Sequence, residues 1–283
     1  MKQIGRRDFI KVSAGSIALL ALGKFVGVPV VKSVGVPTAK RPVKARTGGD
    51  GQGTTADPSN RFGLVIDVGA CIGCRTCQWA CKAENNVPDT ISPPWIEVFG
   101  VKIEQSVTGE PSLDDLKKGA TTSYTKSPLP GMWYMPVACN HCDNPPCVKV
   151  CPVGATYKDK DGLVLIDYDK CIGCRFCVVA CPYTARRFNF AKPETPADKV
   201  NPSVPVRPLG VVEKCTFCVH RTRRGILPRC VEVCPVRARY FGNLNDPQSE
   251  VSQLLNSNPY FQLLHELNTG PNLRYIVRGK KWL

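Results

Sequence analysis

The chain has 283 residues, with 38 lysines and arginines against 23 aspartates and glutamates, a formal net charge of +15. Its length argues against a disulfide framework, which belongs mostly to short, core-poor chains. The basic excess does not point to nucleic acid. The first 39 residues hold six basic side chains and one acidic, leaving +10 for the remainder, and much of that is taken up by the buried negative charge described below.

From the N-terminus, residues 1–39 read as a twin-arginine export signal. Gly5-Arg6-Arg7-Asp8-Phe9-Ile10-Lys11 precedes a modest apolar run from Val12 to Leu22, the pattern of that route. The apolar run is too short to span a bilayer, and Lys24 and Pro29 interrupt its continuation. Pro37-Thr38-Ala39 is the nearest candidate cleavage site, and the segment is either removed or kept as an anchor. Residues 40–60 read as a disordered linker, basic and then rich in Gly48, Gly49, Gly51 and Gly53, with little to bury.

Sixteen cysteines then fall into four runs with none left over. The runs are Cys71-x2-Cys74-x2-Cys77-x3-Cys81, Cys139-x2-Cys142-x4-Cys147-x3-Cys151, Cys171-x2-Cys174-x2-Cys177-x3-Cys181 and Cys215-x2-Cys218-x11-Cys230-x3-Cys234. C-x2-C-x2-C-x3-C-P is the run that holds [4Fe–4S] clusters, its fourth cysteine ligating the neighbouring cluster. Structural zinc needs two separated C-x2-C pairs, and the third and fourth cysteines here are not such a pair. Four runs therefore predict four [4Fe–4S] clusters. Gly73 and Gly173 stand where the chain must curl closely. The fourth cysteine of each run is expected to open a short helix, with a proline after it in every run but the first, which has Lys82. At about −2 per oxidised cluster with its thiolates, the loaded mature protein is near +2. Lys170, Arg175, Arg186, Arg187 and Lys214 are candidates for charge compensation, and Trp79 is expected to pack over a cluster.

Phe62–Asp67, Met132–Ala138 and Leu163–Tyr168 read as strands leading into cluster loops, and Trp95–Gln105 as a further strand. Nineteen residues separate Cys151 from Cys171, against 57 between Cys81 and Cys139 and 33 between Cys181 and Cys215. The simplest architecture is α+β, with two nested two-cluster ferredoxin-like modules, a β-containing insertion and a helical C-terminal tail. One module is 61–83 plus 209–242 (runs one and four) and the other 132–192 (runs two and three). Residues 84–131 are the insertion, 193–208 a proline-rich connector, and 243–283 the tail, in which Val251, Leu254 and Leu255 form one helical stripe. Cluster one then takes Cys71, Cys74, Cys77 and Cys234, and cluster two takes Cys81, Cys215, Cys218 and Cys230. Cluster three takes Cys139, Cys142, Cys147 and Cys181, and cluster four takes Cys151, Cys171, Cys174 and Cys177.

The four runs, together with Cys139-Asn140-His141-Cys142-Asp143-Asn144-Pro145-Pro146-Cys147, Lys214-Cys215-Thr216-Phe217-Cys218 and Arg239-Tyr240-Phe241-Gly242-Asn243-Leu244-Asn245-Asp246-Pro247, resemble the four-cluster iron–sulfur subunits of membrane-associated molybdopterin oxidoreductases. The dimethyl sulfoxide, polysulfide and tetrathionate reductases are of this kind. The resemblance implies a molybdopterin catalytic partner, a quinone-interacting integral membrane partner, and cluster one towards the pterin with cluster four towards the membrane. A similar subunit belongs to the quinone-interacting complex linked to sulfite reduction, which lacks molybdenum, and a free-standing polyferredoxin shuttle is a further alternative. No catalytic residues and no nucleic-acid or small-molecule site are expected. His141 and His220 lie inside cluster loops and serve structure or tune potential. The expected role is a non-catalytic electron-transfer subunit, exported to the periplasmic face of the membrane.

Overall fold

A computed structural model describes residues 56–89, 91, 93–102, 131–192 and 197–279. All of them belong to the unit Ala45–Leu283. The signal segment, most of the linker, the insertion from 103 to 130 and the connector residues 193–196 lie outside the described residues.

In chain order the elements are β1 (Phe62–Asp67), α1 (Thr76–Glu84), β2 (Glu97–Lys102), β3 (Met132–Val137), α2 (Pro146–Lys149), β4 (Thr156–Lys158) and β5 (Val164–Ile166). There follow α3 (Phe176–Val179), β6 (Arg187–Phe188), β7 (Val212–Glu213), α4 (Val219–Thr222), α5 (Arg229–Glu232), β8 (Arg239–Asn243), α6 (Glu250–Ser257), β9 (Tyr260–Phe261) and β10 (Leu273–Ile276). The architecture is mixed helix and strand with small sheets. A four-stranded sheet has the order β8-β1-β10-β9, and β2–β3, β4–β5 and β6–β7 are separate two-stranded ladders.

β1 has every residue buried because it is enclosed on all sides. β8 pairs with it antiparallel and β10 parallel, Leu64 opposing Leu273 and Ile66 opposing Tyr275. Successive side chains point to opposite faces. Leu64 and Ile66 therefore enter the main core with Leu273 and Tyr275, while Val65 joins Tyr240 and Ile276 beneath α6. Val251 and Leu255 of α6 close that second face, so the stripe on this helix serves the protein's own core. Ser249 caps α6, its Oγ accepting the Ser252 N–H at 3.3 Å.

The tail is thus not only helical. Its described residues include α6, a 3-10 helix at His265–Leu267 and the strands β9 and β10, and β10 lies inside the sheet. Leu163–Tyr168 shortens to β5 because the chain turns at Asp159–Gly162, with Gly162 at φ +81° and the Asp159 N–H donating to Leu163 O at 2.8 Å.

The cysteine helices also differ from expectation. α1, α2, α3 and α5 each contain the third cysteine of their run. In runs two, three and four the fourth cysteine lies beyond the helix end, and the following proline suits that stop. In run one, Lys82 allows α1 to continue through Cys81 to Glu84. α1 packs against α5, and α2 against α3, so run one meets run four and run two meets run three. Lys82→Pro is expected to cost about 3 kcal/mol by breaking α1. Pro152→Lys, beyond the end of α2, should change stability by less than about 1 kcal/mol. Chemical denaturation followed by circular dichroism checks both.

Candidate metal centre

In all four runs the residue before the second cysteine is left-handed: Gly73 (φ +72°), His141 (+43°), Gly173 (+70°) and Phe217 (+52°). Glycine enters this region freely, and here it is also required for space. A Cβ on Gly73 would stand 2.2 Å from the Tyr134 ring, and one on Gly173 would stand 2.1 Å from the Gly210 carbonyl oxygen. His141 and Phe217 are held instead by packing on each other, their ring centroids 3.9 Å apart and 22° from parallel.

These turns aim the cysteines inward, and all sixteen are free thiols. One cavity is lined by Cys71, Cys74, Cys77 and Cys234. A second is lined by Cys151, Cys171, Cys174 and Cys177. Cys81 is buried against Cys215, Cys218 and Cys230, and burial together with those three neighbours raises its thiol pKa well above the usual value. Cys142 lies against Cys139, Cys147 and Cys181, and is pushed up to about 12, first by burial. Burial likewise lifts Cys71 to about 12 and Cys77 to about 11. Thiolates at such positions require a positively charged partner. The quartets adjoin one another in the order of runs one, four, two and three, with Cys77 near Cys230, Cys215 near Cys139 and Cys177 near Cys147. The cysteines are drawn from opposite sides of cavities, and no three of the described Cys, His, Asp or Glu side chains converge as for a single ion.

Buried cations accompany the cysteines. Arg239 is 4% exposed and Arg186 is 3% exposed. Burial opposes the charge on Arg239, but Cys230, Cys77, Cys234 and Cys71 outweigh it and hold the pKa above the usual arginine value. Cys147, Cys177 and Cys139 do the same for Arg186. Lys214, 1% exposed, donates to the carbonyls of Val164 and Cys215. Dry arginine N–H groups, a buried ammonium and thiols lining shared cavities fit anionic clusters held by thiolates, and fit a neutral cavity poorly.

The other charge-compensation candidates do different work. Arg187 pairs with Glu97, Lys170 pairs with Asp167 at the surface, and Arg175 is exposed and stacks over Phe188 and Phe190. Trp79 does not pack inward. It is 58% exposed, with the Lys82 ammonium 5.6 Å from its ring. His220 holds Glu84 at 2.8 Å. His141 is neutral, its pKa lowered well below the usual value by burial and by Lys214. Its Nδ1 accepts the Val164 N–H at 3.1 Å, so the proton sits on Nε2, which donates to Cys215 O at 3.0 Å. Two site residues escaped the reading by spacing. Asn85 directs its Nδ2 at the sulfurs of Cys81 and Cys218, 3.7 and 3.5 Å away. Arg239 had a readable signal, the repeated Cys-Pro-x-x-Ala-Arg.

Residues 131–198 and 204–244 match the 4Fe-4S dicluster domain. The putative dimethyl sulfoxide reductase iron-sulfur subunit of Halobacterium salinarum is 47% identical over 225 residues, 78% of this chain and 82% of its own length. The chain belongs to the family of ferredoxin-type iron–sulfur electron-transfer subunits of the molybdopterin oxidoreductases. Among other relatives, the arsenate respiratory reductase iron-sulfur subunit of a Shewanella species is 40% identical over 76% of this chain and 96% of its own. The Hdr-like menaquinol oxidoreductase iron-sulfur subunit 1 of Archaeoglobus fulgidus is 37% identical over 77% of this chain and 84% of its own.

Within this iron–sulfur subunit, His141→Leu leaves the Val164 N–H and the second bond to Cys215 O unmade in a dry interior. Lys214 still bonds Cys215 O, so the loss expected is about 1–3 kcal/mol for the one buried group left unpaired and about 1 kcal/mol for the other bond. Comparing anaerobic unfolding of the variant and the parent measures it.

Proposed function

We propose that the chain carries four [4Fe–4S] clusters and relays electrons between a quinone-interacting membrane subunit and a molybdopterin catalytic subunit. The observation that carries this reading is that cysteines of different runs share cavities, Cys234 with Cys71, Cys74 and Cys77, and Cys151 with Cys171, Cys174 and Cys177. On this reading each quartet takes three cysteines from one run and the fourth from another. Such clusters supply one-electron redox chemistry when bound. The protein's part is to hold them: Cys71, Cys74, Cys77 and Cys234 for the first, and Cys81, Cys215, Cys218 and Cys230 for the second. Cys139, Cys142, Cys147 and Cys181 serve the third, and Cys151, Cys171, Cys174 and Cys177 the fourth. The surrounding apolar core excludes water, and the buried arginines and Lys214 offset negative charge.

The ends of this series differ. Around run three, Cys174 is exposed and Ile172, Phe176 and Val179 stand in solvent, Val179 with 85% of its surface free. An apolar rim of this kind suits the membrane subunit, and it supports assigning the fourth cluster to the quinone end. The menaquinol in the name of the Archaeoglobus relative supports a quinone-interacting partner. It also keeps a second reading in play, a quinone-interacting complex without molybdenum. The proposed location is the outer face of the cytoplasmic membrane, reached by the twin-arginine route, because the Arg6-Arg7 segment suits export of a folded, cluster-loaded protein. Among the described residues no helix is long and apolar enough to cross a membrane, so attachment is assigned to the partners or to the N-terminal segment.

Anaerobic capture from native membranes through a C-terminal tag, followed by mass spectrometry and metal analysis, tests the reading. A pterin-binding partner with molybdenum or tungsten is the expected result. Iron alone, with cytochrome and quinone-binding partners, selects the second reading. About 16 iron atoms per chain are expected for four cubanes. Cys174→Ser is expected to abolish or alter the signal of one cluster and slow quinone-linked turnover, leaving exchange with the catalytic partner intact.

A further inference from the structure

The two halves of the cysteine framework carry the same device in the same place. Run three continues Cys181-Pro182-Tyr183-Thr184-Ala185-Arg186, and run four continues Cys234-Pro235-Val236-Arg237-Ala238-Arg239. The backbones agree, with Thr184 at φ +47° and Arg237 at φ +48°, and both alanines are buried. One turn therefore carries Arg186 and Arg239 inward at equivalent positions.

Each arginine stands between two quartets. Arg239 lines the cavity of Cys71, Cys74, Cys77 and Cys234 and lies near Cys230 of the next quartet. Arg186 lies against Cys177 of one and Cys147 and Cys139 of the next. Arg186 Nη1 donates to Thr156 Oγ1 at 3.1 Å. Its Nε and Nη2, and Nε and Nη1 of Arg239, meet no hydrogen-bonding nitrogen or oxygen among the described residues. A dry guanidinium without a carboxylate is costly unless another negative charge faces it. The remaining gap, where Cys215 approaches Cys139, is flanked by Lys214, whose Nζ bonds the Cys215 carbonyl at 2.8 Å. Two other buried arginines have carboxylates instead, Arg187 with Glu97 and Arg207 with Glu213.

We propose that Arg239, Lys214 and Arg186 form a series of fixed cations, one in each gap between neighbouring clusters, that raises the potentials of both flanking clusters and weakens the repulsion between them when both are reduced. The proposal rests on the four-cluster reading. Each reduction adds one electron, and so one negative charge, to a site where opposite and like charges act through a low-dielectric interior. A cation between two such sites favours the reduced form of each. The guanidinium keeps its charge at any working pH, so the compensation needs no accompanying proton.

The test is an anaerobic redox titration of the iron-loaded holoprotein, followed by electron paramagnetic resonance. Arg239→Gln is expected to lower the reduction equilibrium of two of the four clusters about tenfold, about 59 mV for a one-electron couple. Arg186→Gln should lower the other two by a similar factor. Shifts falling on the same clusters in both variants, shifts spread evenly over all four, or full iron content with unmoved potentials would each overturn the proposal. An iron content well short of four clusters in the parent protein would instead defeat the reading on which it rests. If Arg239→Gln does not load, Arg239→Lys decides. Its retained charge should keep the two potentials within about threefold of the parent's reduction equilibrium, and a tenfold fall sinks the idea.

Discussion

Cys234 completes the wall of a cavity begun by Cys71, Cys74 and Cys77, and Cys151 does the same for Cys171, Cys174 and Cys177. Because no quartet comes from a single run, distant stretches of chain must be held within a few ångströms of one another, and most of the remaining structure answers to that need. α1 lies on α5 and α2 on α3, so each fourth cysteine reaches across to its partner run. The two-stranded ladders and the buried Arg207–Glu213 pair brace the crossings. Arg207 also bonds the carbonyls of Asn85 and Asn86, pinning the end of the connector to the end of run one.

Much of the site was legible because its information is local and dense. Thiolate ligation dictates residue type and spacing together, so the runs announce themselves without a fold. Gly73 and Gly173 were legible for the same reason, as points where the chain must curl. His141 and Phe217 were not, although they occupy the equivalent position and the same backbone region. Their conformation is held by the stacking of one ring on the other, a contact between runs that spacing does not reveal. Arg239 shows a different limit. Proximity to cysteines along the sequence singled out Arg186 and Lys214 but also Lys170 and Arg175, which face outward, because burial depends on neighbours from other segments.

The fold was legible where strands are long and apolar, as at Phe62–Asp67 and Met132–Val137. It was not legible at Leu273–Ile276, a four-residue strand too short to show a period and recognisable only once β1 lies beside it. The nine-residue helix of run one, against four residues in the others, could have been read from Lys82. A proline missing from a repeated position is a statement about where a helix may continue.

The parallel pairing of β1 with β10 joins the first described strand to the last. A chain emerging from the ribosome therefore cannot complete this sheet until the residues up to Ile276 have been made, and run one cannot meet Cys234 until run four has been made. Runs two and three complete their own partnership much earlier. Maturation acquires a built-in order, the inner pair of runs closing before the outer pair. The outer pair of runs is thus the half exposed longest to oxidants and proteases.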